Sequence, residues 1–266
     1  MKTKIKNYIE YEKGNIPIIL TAPHGGNIKP DDMHTRISGV FDSDDYTAEL
    51  TFDIVKEFEK RINKIPYYLV ADISRKIVDL NRDAKEAYEE EDAKIIYDTF
   101  HNKIKEYEKD IEEKFSKGIY IDIHGQSHPK AYLEFGYLLD NNILKQHDHE
   151  IALWKDKSSI KTLSKFSKES FVDQLKGPHS LGSLMCHEGY DSIPSVKLPY
   201  ATDGNYFEGA YDTILYGSLH GGNISGIQIE FPYKNVRDTK ENRKKCAKSF
   251  VSAVIKFVDI HLGVKL

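Results

Sequence analysis

Two apolar runs in this 266-residue chain stop at the same pair of residues. Residues 16–22, Ile-Pro-Ile-Ile-Leu-Thr-Ala, lead into Pro23-His24-Gly25-Gly26; residues 118–123, Gly-Ile-Tyr-Ile-Asp-Ile, lead into His124-Gly125. A histidine just past an apolar strand can project into a crevice while glycine lets the backbone turn sharply behind it. Two such histidines on one sheet would come within reach of a common metal ion. The third ligand would come from the acidic run Asp42-Ser-Asp44-Asp45-Tyr-Thr-Ala-Glu49. That run also reads as the start of a helix, where acids suit the dipole. Two histidines and one carboxylate leave a tetrahedral zinc ion with one position open for water. Cys186 and Cys246 are the only cysteines, which excludes a disulfide framework and a cysteine-rich zinc module. A metal therefore falls to carboxylates and to histidine, of which the chain has eleven.

Two further stretches carry usable groups. Ser74-Arg75-Lys-Ile-Val-Asp79-Leu80-Asn81-Arg82 follows another apolar run and sets two arginines seven residues apart. Arginine is the residue for gripping a carboxylate with two hydrogen bonds. In Gly226-Ile-Gln228-Ile-Glu230-Phe-Pro, strand alternation puts Gln228 and Glu230 on one face, opposite Ile227 and Ile229. A glutamate at the end of a core strand is costly to bury unless it is paired, solvated or functional. Beside a metal-activated water it would serve as general base. His179 and His220, each in a turn-like sequence, are further candidates for a pocket wall, whereas His128, His147 and His149 read as surface residues of a polar region.

The elements that must position these groups alternate between strand and helix. Strands are predicted at 16–22, 67–73, 118–123, 131–139 and 224–231. Helices are predicted at 44–62, with Asp44 or Asp45 as N-cap, at 85–115 and at 239–262. Residues 140–180 are polar, Lys-rich and carry no clear period. Such alternation implies a mainly parallel sheet covered on both faces, whose sites lie at the carboxyl ends of its strands. We expect one α/β domain over residues 1–266.

Composition narrows the partners. Hydrophobic residues make up 39% and charged residues 30%, enough for a packed core. The net charge of −4, from 42 acids against 38 Lys and Arg, argues against a nucleic-acid partner held by phosphate contacts. No apolar run approaches the ~18 residues of a transmembrane helix, and the N-terminal stretch shows no signal-peptide pattern, so no membrane partner is expected and a cytoplasmic location is.

In their order along the chain these motifs resemble the N-formylglutamate amidohydrolase family. The matching stretches are Pro23-His24-Gly25-Gly26, Asp44-x-x-Thr47-x-Glu49-Leu50, Ser74-Arg75 with Val78-Asp79-Leu80-Asn81-Arg82, Asp122-Ile123-His124, and Gln228-Ile229-Glu230-Phe231-Pro232. Phe207-Glu-Gly209-Ala-Tyr211 and Arg237 are similar to its later segment. The resemblance implies a three-layer α/β/α sandwich of the phosphorylase/hydrolase-like, zinc-exopeptidase type. It implies one zinc ion per chain, held by His24, Asp44 and His124. The His-x-x-Glu spacing of zinc carboxypeptidases is absent because position 27 is Asn, so Asp45 and Glu49 stand beside Asp44 as alternatives. Asn81 and Arg82 would grip a substrate carboxylate with Arg75 alongside, Arg75 would also stabilise the oxyanion, His179 and Tyr211 would line the pocket, and Glu230 would be the catalytic glutamate. The activity so implied is hydrolysis of the amide bond of a small N-acyl amino acid, with a carboxylate-bearing small molecule as substrate. The same chemistry in a wider groove would serve a peptide or γ-glutamyl chain. A non-catalytic binding protein on the same fold is the remaining alternative.

Overall fold

A computed structural model describes residues 8–266; the first seven residues, part of the stretch read above for a leader, lie outside the described residues. Seven strands form one mixed sheet: β1 (Ile9–Glu12), β2 (Ile18–Ala22), β3 (Tyr67–Ala71), β4 (Gly118–Gln126), β5 (Leu133–Gly136), β6 (Ser192–Ile193) and β7 (Ile224–Pro232), in spatial order β1-β3-β2-β4-β7-β5-β6. The four central strands run parallel, while β1 pairs antiparallel with β3 and β5 antiparallel with β7. Helices cover both faces. On one lie α1 (Thr47–Ile62), α3 (Leu181–His187) and α5 (Lys240–Leu262); on the other lie α2 (Glu91–Phe115) and α4 (Tyr211–Tyr216). The expected three-layer sandwich is therefore the observed fold. Among the described residues, no helix is long and apolar enough to cross a membrane.

Strand alternation decides which side chains reach the site. In β4, Ile119, Ile121 and Ile123 enter the core under α1 and α5, while Tyr120 packs on the α2 face. Ile227, Ile229 and Phe231 of β7 likewise join the α1/α5 core. The residues between them, Asp122 and His124 on β4 and Gln228 and Glu230 on β7, all point the other way. Register then sets them side by side: Asp122 pairs with Gln228, His124 with Glu230, and Glu230 in turn with Glu134 of β5.

Three sequence expectations need correction. Helix α1 has no side-chain cap from Asp44 or Asp45. It starts at Thr47 after Tyr46 in the left-handed region (φ 65), because the Asp44 carboxylate is turned away to accept from the backbone N–H of Gly125 (3.2 Å). The helix expected at 85–115 is broken into a single turn, Ala84–Ala87, and α2, with Tyr88 and Glu90 extended between them. Tertiary bonds win there over periodicity: Glu89 and Glu90 accept from the backbone N–H groups of Ile37 (3.0 Å) and His34 (2.6 Å). The strand expected at 131–139 spans only Leu133–Gly136. Residues 140–180 form short helical turns whose Ile151, Ile160, Leu163, Phe171 and Leu175 extend the core.

The seam between α5 and the sheet is aromatic. Phe250 is fully buried and sits edge-to-face on Phe231, ring centroids 5.4 Å apart at 77°. Phe250→Ala is expected to lower stability by ~3–5 kcal/mol, as for other large core truncations. Leu153→Ala, at a position 82% exposed, should stay within about 0.5 kcal/mol. Urea unfolding of the two variants checks this.

Candidate metal centre

Both His-Gly motifs deliver their histidines at the ends of adjacent strands, and the glycines explain how. A Cβ on Gly26 would lie 2.3 Å from the backbone carbon of Asp72, and one on Gly125 would lie 2.3 Å from the guanidinium carbon of Arg237. Backbone at Gly26 and the buried Arg237 side chain at Gly125 come so close that a larger residue would force them to shift. Arg237 is buried and spends its donors on the carbonyls of Phe231 (2.9 Å), Gln126 (3.0 Å) and Asp45, clamping the end of β4 to the loop before α1.

His24, Asp44 and His124 come together with a ligand atom of each within 4.8 Å of the others. The rings of the two histidines stand 4.9 Å apart at 67°. Each has one nitrogen committed to a buried carboxylate. His24 Nε2 lies 2.7 Å from Asp79 Oδ1, and His124 Nε2 lies 2.9 Å from Asp122 Oδ2. Burial would raise the Asp79 carboxyl, but His24 and Arg75 outweigh it and hold Asp79 well below the usual carboxylate range. Asp79 is thus an acceptor, so Nε2 of His24 donates to it and Nδ1 is the nitrogen left for another partner. That Nδ1 is buried, has no hydrogen-bond partner, and faces Asp44 Oδ2 at 3.6 Å. His124 Nδ1 approaches the same oxygen at 3.0 Å. Burial would raise Asp44 too, yet the two histidines hold it well below the usual range. An orphaned imidazole nitrogen, a second imidazole and an ionised carboxylate aimed at one point make the donor set of a divalent metal site, with the carboxylate–histidine support such sites have. Of the three acids left open by the sequence, Asp44 is the one that reaches; Asp45 and Glu49 are exposed.

A cavity of about 590 Å³ opens in front of these ligands. Arg75, Asn81, Arg82 and Glu230 line it, as do Gln126, His128, Phe207 and Gln228. Glu230 is buried, and burial pushes its carboxyl up to about 8; its Oε1 accepts from Gln228 Nε2 at 3.0 Å. Arg75 donates from Nε to Asp79 Oδ2 (2.9 Å). Arg36, which the sequence reading missed, reaches the same oxygen at 3.5 Å and binds the carbonyls of Arg75 (3.1 Å) and Val40 (2.6 Å), fixing the cavity lip. Arg82 is the least engaged of the three: its side chain is 34% exposed and 3.9 Å from Asp79. Asn81 Oδ1 accepts from the backbone N–H of Asp212 (2.8 Å), and its Nδ2 lies 3.1 Å from His124 Nε2.

The remaining expectations divide. Tyr211 does not line the cavity. Its hydroxyl lies 3.3 Å from that of Tyr97, which donates to the carbonyl of Arg82 (2.9 Å), so Tyr211 backs the arginine loop. His179 is placed elsewhere: it pairs with Glu169, and its carbonyl lies 3.1 Å from Nε2 of His261 in α5. His220 borders a different cavity, with Trp154. His128, read as a surface residue, lines the main cavity with its ring nitrogen 2.7 Å from Glu134. His128 and Glu134 lie on either side of the turn between β4 and β5, so the contact shows only once the chain is folded back there.

Fold and site together place a His-Asp-His group that could hold a metal ion at the strand ends of an α/β/α sandwich. The sequence matches no family model and no curated protein. Among solved structures the chain is similar to N-formylglutamate amidohydrolase from Ralstonia eutropha JMP134, with a TM-score of 0.60 at 12% identity over 97% of this chain and 99% of that one. It is also similar to gene product Atu2144 from Agrobacterium tumefaciens, with a TM-score of 0.56 at 13% identity over 95% of each chain. The fold is therefore the one adopted by an N-formylglutamate amidohydrolase.

Two substitutions separate ligand from support. His24→Ala is expected to abolish metal retention. Asp79→Asn, which leaves His24 in place but removes the fixed acceptor at Nε2, should weaken metal affinity by ~10–100-fold. Metal titration against a competing chelator measures both; unchanged affinity in His24→Ala would remove this site from consideration.

Proposed function

We propose that the protein hydrolyses the amide bond of a small N-acyl amino acid bearing a free carboxylate, with N-formylglutamate as the reference substrate and one zinc ion held by His24, Asp44 and His124. The observation that carries this reading is the convergence of His24 Nδ1, His124 Nδ1 and Asp44 Oδ2 at the mouth of a cavity that also holds a buried glutamate and two arginines. Zinc in such a site lowers the pKa of water toward ~7 and polarises an acyl oxygen.

The chain's own groups divide the rest. Gln228 occupies Oε1 of Glu230, leaving Oε2, in the ionised form that a nearby cation would favour against burial, to take a proton from the attacking water and return it to the leaving nitrogen. Arg75, fixed by Asp79, supplies a donor for charge developing on the acyl oxygen. Arg82, with most of its donors uncommitted, grips the carboxylate and so sets the scissile bond against the ligands. Two unpaired cysteines fit a reducing compartment, and we place the enzyme in the cytoplasm.

Two measurements test the reading. Glu230→Gln should keep its metal and lose hydrolysis by ~10²–10⁴-fold, the range for removing a general base; turnover at the wild-type rate would take Glu230 out of the mechanism. Arg82→Ala should lower kcat/KM for N-formylglutamate by ~30–1,000-fold, the loss expected when one partner of a desolvated charge pair is removed. It should barely change the rate on the analogue whose α-carboxylate is amidated. Equal cleavage of the free and amidated substrates by wild type would show that no carboxylate grip exists.

A further inference from the structure

His128 is held more firmly than a loop histidine needs to be. Its backbone N–H donates to Gln126 Oε1, its Nδ1 lies 2.7 Å from Glu134 Oε1, and its ring stacks on Phe207 at 5.0 Å and 10°. Glu134 is 1% exposed, and its other oxygen accepts the backbone N–H of Phe207 at 2.9 Å. Burying a carboxylate is costly, and none of these groups supports the histidines of the metal centre. What the arrangement accomplishes is to fix one imidazole at the cavity wall. Nδ1 is taken by Glu134, so Nε2 is the ring nitrogen left for another partner.

Sheet order gives this ring a direction. His124, Glu230 and Glu134 are cross-strand neighbours on β4, β7 and β5. The arginines are anchored to Asp79, the partner of His24, on the far side of the metal ligands. Arg75 and Arg82 are the only Lys or Arg among the residues lining the cavity. A substrate whose carboxylate meets Arg82 therefore extends its acyl half toward His128.

We infer that His128, held by Glu134, is a specificity-determining group that selects acyl halves carrying an amino group beside the scissile carbonyl, so that the preferred substrates are aminoacyl amino acids. This rests on the amide-hydrolysis reading above. The imidazole Nε2 accepts an N–H, and the Glu134 carboxylate behind the ring complements an ammonium; a formyl or acetyl group has no donor to offer. Hydrolysis adds one water across the C–N bond and releases two amino acids.

The test compares glycylglutamate with N-acetylglutamate, which differ only by that amino group. Wild type is expected to cleave glycylglutamate with a kcat/KM about tenfold or more above that for N-acetylglutamate, the scale of one charge-assisted hydrogen bond. His128→Leu should bring the ratio near one by slowing only the glycyl substrate, and His128→Asn, which can still accept, should keep part of it. Calorimetric binding of both compounds to metal-loaded Glu230→Gln protein, with and without His128→Leu, reads the same preference without turnover. Equal efficiencies in wild type, or an equal loss on both substrates in His128→Leu, would overturn the inference. A binding preference lost with His128 in a protein that cleaves neither compound would reject amide hydrolysis and retain the subsite.

Discussion

Everything at the strand ends depends on one constraint: an imidazole has two nitrogens, and at each metal-facing histidine one of them is given to a buried carboxylate. Asp79 takes Nε2 of His24 and Asp122 takes Nε2 of His124. The remaining nitrogens then have no choice but to point at Asp44. Two lone pairs and an ionised carboxylate facing each other repel unless a cation or a proton sits between them. Burial opposes charging His124, but Asp122 and Asp44 raise its pKa well above the ordinary value.

Holding several carboxylates below a sheet would be prohibitive without counter-charges. Asp79 collects Arg75 at 2.9 Å, Arg36 at 3.5 Å and Arg82 at 3.9 Å, so the group that orients His24 also gathers the cations facing the cavity. Asp122 is satisfied differently. Its second oxygen accepts from Thr21, its register partner on β2, at 2.7 Å. Asp212, fully buried with neither oxygen bonded, has its carboxyl pushed well above the usual range by burial and by Asp122. The interior thus offsets its carboxylates by pairing with guanidinium and imidazole and by hydroxyl hydrogen bonds, and burial disfavours the charge that is left unpaired.

The parts legible in the sequence were those in which chemistry coincides with a strand end. His24, His124 and Glu230 each close an apolar run, and the run's period alone fixes their placement. The core strands and the three long helices follow from the same periodicity. Contacts made across long sequence separations left no local trace. Arg36 acts on carbonyls up to 50 residues away. His128 takes its meaning from a carboxylate on a four-residue strand. Residues 85–115 keep a helical pattern through Tyr88–Glu90, yet the chain breaks there because Glu89 and Glu90 bond a loop near residue 35. His179 fails for the converse reason: a Gly-Pro-His turn resembles a pocket wall in isolation, but α5 and Glu169 claim it.

The glycines after the histidines connect these levels. In sequence they mark sharp turns. In the structure Gly26 admits the backbone of Asp72, at the start of the loop that carries Arg75 and Arg82, while Gly125 admits the guanidinium of Arg237, which ties β4 to the loop bearing Asp44. One glycine therefore draws the arginine loop against His24, and the other draws the carboxylate ligand against His124. Close approach at the two glycines, to backbone at Gly26 and to a buried guanidinium at Gly125, is what turns two separate strand ends into a single site with a cavity beside them.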